Sequence, residues 1–135
     1  MFILLLSADL HAKDNSEIVN MYHESVDQKK FIQTLSYEDC INLIQEISGT
    51  SSLWKMCVSI DTEKHDKKLN ESYKSLIKTN KDLQNIQRAW IKYRDLKCNF
   101  SMTAGASGMG AYLCLREETK RRSEELLSLI DVNYN

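Results

Sequence analysis

No proline interrupts these 135 residues, and three of the four glycines sit together between Gly105 and Gly110. Elsewhere the backbone meets one glycine, Gly49. A chain with so few breakers, rich in Lys, Glu, Leu and Ile, favours helix almost throughout. The expected fold class is all-α, a small bundle of about four to five helices. The length suits one domain with one modest core.

Local signals place the helices. Asp14-Asn15-Ser16-Glu17 reads as a capping box, opening a helix that runs to about Gln33 and carries Ile18, Tyr22, Val26 and Phe31. Ser36-Tyr37-Glu38-Asp39 is a second cap, followed by Cys40, Leu43, Ile44 and Ile47 at helical spacing, with Gly49 as the stop. A third segment starts at Thr50-Ser51-Ser52 and carries Leu53, Met56, Cys57 and Ile60. The charged run from Asp61 to Lys68 predicts a solvated stretch or a shallow break, after which Leu69, Tyr73, Leu76 and Ile77 resume the stripe. Asn80 or Asp82 can cap the next helix, which ends at Cys98. That helix carries Leu83, Ile86, Trp90 and Tyr93, of which Ile86, Trp90 and Tyr93 share a side and read as the core-facing stripe, with Gln87 and Arg94 along its border. The last helix carries Leu115, Thr119, Arg122, Leu126 and Leu129, with Glu117–Arg121 and Glu118–Arg122 as i,i+4 pairs.

Composition narrows the class further. Hydrophobic residues make up 42% of the chain, which excludes global disorder. The 18 basic and 19 acidic residues are interspersed, and no basic face stands out. That excludes nucleic acid or an anionic membrane as the main partner. Residues 1–12 begin with Met1-Phe2-Ile3-Leu4-Leu5-Leu6 and read as a partial secretory signal peptide, with Ala8 or Ala12 at its cleavage site. Residues 13–35 read as an N-terminal helix, and residues 36–135 as the main helical domain. No later stretch approaches the roughly 20 apolar residues of a membrane span.

The four cysteines are Cys40, Cys57, Cys98 and Cys114. An even count beside an export signal points to two disulfides, and three connectivities are formally open. Zinc would want closer Cys or His spacings than any present. A Cys98–Cys114 bond fits the helix layout by joining the end of one helix to the start of its antiparallel neighbour. Cys40–Cys57 would tie the second segment to the third in the same way.

With these residues placed, the chain resembles the LprI-like family of small bacterial envelope proteins. One block reads Asp66-Lys67-Lys68-Leu69-Asn70-Glu71-Ser72-Tyr73. Another reads Gln87-Arg88-Ala89-Trp90 through Arg94-Asp95-Leu96-Lys97-Cys98, followed by Cys114 with Thr119, Arg122 and Leu126. The likeness spans roughly residues 40–130, the second block being its most specific part. The resemblance implies a secreted or periplasmic helical domain with paired disulfides, from a family named after a lipoprotein that inhibits lysozyme. The chain departs from that lipoprotein pattern in lacking a Leu-x-x-Cys lipobox, which argues against lipid anchoring.

Chemistry-bearing clusters are few. Asp61, Glu63, His65 and Asp66 point around a helix rather than converging, so they read as a solvated face and not as a metal or acid/base site. No nucleophile triad, Walker loop or HExxH motif is present, and no cofactor or metal is expected. Arg94 and Asp95 are expected to join Asn70, Gln87, Thr119 or Arg122 in a buried polar network that fixes helix register. Pieces available to a protein partner are the acids Asp61, Glu63 and Asp66 and the loop residues Ala104, Gly105, Ser107, Gly108 and Met109. The expected function is therefore non-enzymatic: a periplasmic or secreted binding protein that inhibits a lysozyme or another cell-wall hydrolase by steric occlusion. Its alternatives are a periplasmic immunity or accessory protein for a specific toxin or secreted partner, and a structural, self-associating helical domain.

Overall fold

The computed structural model describes residues 14–103 and 108–133. Six helices follow in order: α1 (Asn15–Glu24), α2 (Gln28–Gln33), α3 (Tyr37–Glu46), α4 (Ser51–Leu76), α5 (Leu83–Thr103) and α6 (Met109–Asn133). No strand occurs among the described residues. The segment read as a signal peptide lies outside them, as do Ala104, Gly105 and Ser107.

Local chemistry accounts for most helix boundaries. The Asp14 carboxylate accepts the Ser16 N–H at the start of α1. Ser36 Oγ accepts the Asp39 N–H at 3.1 Å, and Thr50 Oγ1 accepts the Leu53 N–H at 3.4 Å. These bonds satisfy donors that a helix start leaves orphaned. The end of α3 is a Schellman turn: Gly49 N–H donates to Ile44 O at 2.8 Å and Ser48 N–H to Gln45 O at 3.2 Å. The left-handed residue there is Ser48, with φ 51°. Gly49 is required for a different reason, since a Cβ at that position would lie 2.7 Å from Ile44 Cγ2.

Two expectations about continuity are corrected. The first predicted helix is two helices, parted at Ser25-Val26-Asp27. Ser25 Oγ donates to Met21 O at 2.6 Å, and the Asp27 carboxylate caps α2 by accepting the Lys30 N–H at 3.0 Å. These local side-chain bonds compete with the helix ladder and leave Val26 fully exposed. Conversely, α4 runs through Asp61–Lys68 without a break. Its charges are carried on an intact helix, and Asp61 is bonded at 2.7 Å to Arg116 on α6.

Two apolar clusters hold the fold. The first gathers Ile18 and Tyr22 from α1, Ile32 from α2, Cys40, Leu43 and Ile44 from α3, and Cys57 from α4. The Cys40–Cys57 disulfide lies inside it. The second is thinner: Leu69 and Leu76 from α4, Leu83 from α5 and Leu126 from α6, with Tyr73, Trp90 and Ile130 packed against them. Here α6 runs along both α4 and α5, while those two barely meet each other. The Cys98–Cys114 disulfide ties α5 to α6. No helix among the described residues is long and apolar enough to cross a membrane.

The stripe expected on α5 is also corrected. Ile86 is 54% exposed and Tyr93 55%, whereas Leu83, Gln87 and Cys98 are buried and Trp90 is half-buried. The inward face of α5 is thus the row Leu83–Gln87–Trp90–Arg94–Cys98, two of whose members are polar. In α6, Leu129 is exposed, while Thr119 and Leu126 are fully buried.

Candidate functional site

Because α4 and α5 both lean on α6 without closing on each other, a cleft of about 250 Å³ opens between them. From α4 it is lined by Asp66, Leu69, Asn70 and Tyr73, which recur at i, i+3, i+4 and i+7 and so share one face. The α5 wall is Gln84, Gln87, Arg88, Trp90, Ile91 and Arg94. Asp66, Leu69, Asn70 and Tyr73 of the first block, and Gln87, Arg88, Trp90, Ile91 and Arg94 of the second, therefore meet in one place. Gln84 and Ile91 were not anticipated. They sit three residues before Gln87 and three after Arg88, and that spacing was the available signal.

The Trp90 indole is held among cations. The Arg94 guanidinium lies 5.1 Å from its ring centroid and that of Arg122 lies 5.8 Å away. Arg94 Nε also donates to Asp95 Oδ1 at 3.0 Å. Arg122 reaches from α6, donating through Nε to Gln87 Oε1 at 3.0 Å and through Nη1 to Glu125 at 3.1 Å. On the opposite wall Asn70 Nδ2 donates to Asp66 Oδ2 at 3.3 Å.

The expected polar network is thus present only in pieces. Gln87 and Arg122 are joined, and Arg94 with Asp95, but Asn70 bonds Asp66 instead of either arginine. Thr119 Oγ1 and Arg122 Nη2 are buried without a hydrogen-bond partner among the described residues. The Glu117–Arg121 and Glu118–Arg122 pairs do not form. Glu118 is buried and takes the Lys97 ammonium from α5, with Arg121 at 3.6 Å. That hydrogen bond with Glu118 raises the Lys97 pKa above the ordinary lysine value.

The acids proposed as partner-binding are separated by the structure. Asp61 is mostly buried between Arg116 at 2.7 Å and His65 at 3.1 Å. Arg116 in turn stacks 3.6 Å from the Tyr37 ring centroid. This cluster fastens α3, α4 and α6 together, and nothing in the local sequence announces a pairing across 55 residues. Glu63 is exposed, and Asp66 sits at the cleft. Gly108 and Met109 stand at the start of α6, Gly108 with a φ of +70°.

No group of three or more His, Cys, Asp or Glu side chains among the described residues could hold a metal ion. No curated protein and no solved structure matches the chain. A family profile does: that of Lysozyme inhibitor LprI, over residues 40–126. The match takes in both disulfides, both walls of the cleft and the α6 residues beneath them. The chain belongs to the LprI family.

Proposed function

We propose that this protein works outside the cytoplasm, in the periplasm or secreted, as a non-enzymatic inhibitor that binds a lysozyme or another cell-wall hydrolase and occludes its cleft. The observation that carries this reading is the family match over residues 40–126, whose description is that of a lysozyme inhibitor. Two disulfides suit an oxidising compartment. They also limit the ordering entropy that binding would cost, because the helices are already fixed.

The contact residues we propose are Glu63 and Asp66 on α4, together with Ala104, Gly105, Ser107, Gly108 and Met109 from the small-residue stretch of the sequence that leads into α6. Asp61 is withdrawn from them, since its carboxylate is engaged by Arg116 and His65. A formal net charge of -1 gives little long-range steering, so binding should depend on shape and local contacts.

The test is a titration of the purified, oxidised protein into lysozymes of several classes and other cell-wall hydrolases, reading complex formation and lysis together. Stoichiometric binding with matching loss of lysis is expected for at least one enzyme, weakened by Glu63→Lys. Absence of binding to every hydrolase, with capture of a different envelope or secreted protein, would overturn the reading.

A further inference from the structure

The two walls of the α4–α5 cleft carry opposite charges that do not meet. Asp66 stands on one side, Arg88 and Arg94 on the other, and Asp66 forms an ion pair with neither. Arg94 is kept from crossing by Asp95 and by its place beside Trp90. Arg88 makes no hydrogen bond or ion pair with any described residue. The apolar part of the lining is Leu69 and Tyr73 on the α4 wall and Trp90 and Ile91 on the α5 wall.

Gln87 adds a more specific pointer. It is only 6% exposed, yet it lines the cleft. Its carbonyl oxygen is occupied by Arg122, which fixes the amide orientation and leaves the N–H₂ end without a protein partner among the described residues. The α5 wall therefore offers three donors, one amide and two guanidiniums, which is the chemistry of carboxylate recognition. The α4 wall offers the Asp66 carboxylate, oriented by Asn70, which is the chemistry of ammonium recognition.

We infer that this cleft binds a small amino-acid-like zwitterion, its carboxylate on Gln87, Arg88 and Arg94, its ammonium on Asp66, and its apolar side chain on Tyr73 and Trp90. The volume of about 250 Å³ lies below the usual range for drug-sized ligands and suits a free amino acid or a short zwitterionic peptide. The inference is independent of hydrolase inhibition, because it concerns a different ligand and is read on the cleft residues Arg88 and Trp90, Asp66 alone being shared with the proposed contact surface.

The experiment is an NMR titration of the full-length, oxidised, ¹⁵N-labelled protein with phenylalanine, D-alanyl-D-alanine, propionate, butylamine and N-acetylglucosamine. Saturable shifts of the Trp90 indole N–H and the Asn70 and Gln87 amides are expected with phenylalanine or the dipeptide. Which of the two binds more tightly distinguishes the source. Arg88→Gln should weaken phenylalanine and propionate alike, by roughly tenfold, the scale of one lost charge-assisted bond. Asp66→Asn should weaken phenylalanine and butylamine and leave propionate unchanged. Arg88 is exposed, so that variant should retain the wild-type fold, read by circular dichroism. No saturable shift with either zwitterion would overturn the inference. So would binding of either zwitterion that both variants leave intact, or N-acetylglucosamine as the tightest ligand.

Discussion

The two ends of this molecule are built differently. Around Cys40–Cys57, three short helices and the first half of α4 bury an almost wholly apolar cluster. Around Leu69 and Leu76, the second half of α4 packs with α5 and α6 over four buried leucines, with Gln87, Glu118, Thr119 and Ser123 buried nearby. The first end gains its stability from area removed from water. The second invests buried positions in polar groups, whose net contribution is small when paired and unfavourable when not. Apolar and polar burial are thus divided along the length of α4, the helix that belongs to both ends. The cleft is open where apolar packing is thinnest.

Core truncations test that division with the largest effects. Ile44→Ala and Leu126→Ala each remove a fully buried side chain and should cost about 2–5 kcal/mol in denaturant unfolding. Ile44, ringed by apolar neighbours, should lie near the top of that range and Leu126 near the bottom. A larger cost at Leu126 would break the comparison. Replacing Cys98 and Cys114 together by alanine should cost about 3 kcal/mol, the chain-entropy value for a loop of this length, with circular dichroism still helical.

Smaller effects sharpen the picture of the polar end. The Lys97 pKa is raised in the folded state by Glu118, so the pair's contribution is full below the ordinary lysine value and fades as pH rises through the folded one. Melting temperature should therefore fall more steeply on the alkaline side in wild type than in Lys97→Gln, measured by parallel thermal scans. Thr119→Val should be neutral or stabilising by up to about 1 kcal/mol, because it removes a buried hydroxyl without a partner while keeping its shape. A clear loss in the same unfolding assay would mean that the hydroxyl is used.

Much of this was legible in the residues. Absent breakers give the helices, Ser36 and Thr50 give starts, and the cysteine layout is compatible with the observed pairing. The register of α5 was not legible. Two rows satisfy helical spacing there: Ile86–Trp90–Tyr93, which is more apolar, and Leu83–Gln87–Trp90–Arg94–Cys98, which is the one buried. A search for hydrophobic periodicity selects the first because it gives no credit to a glutamine and an arginine that find partners inside. The same limitation hid Asp61, whose partner lies on another helix far along the chain. The cleft was legible in its members but not in their meeting. Asp66–Tyr73 and Gln87–Arg94 stand on helices that converge only through α6.

The most direct test of the divided architecture is native-state amide hydrogen exchange on the oxidised protein. The account predicts that amides of Leu43, Ile44, Cys57 and Val58 exchange only through global unfolding. Those of Gln87–Arg94 should exchange through smaller local openings. Equal protection at both ends, or stronger protection along Gln87–Arg94, would contradict it.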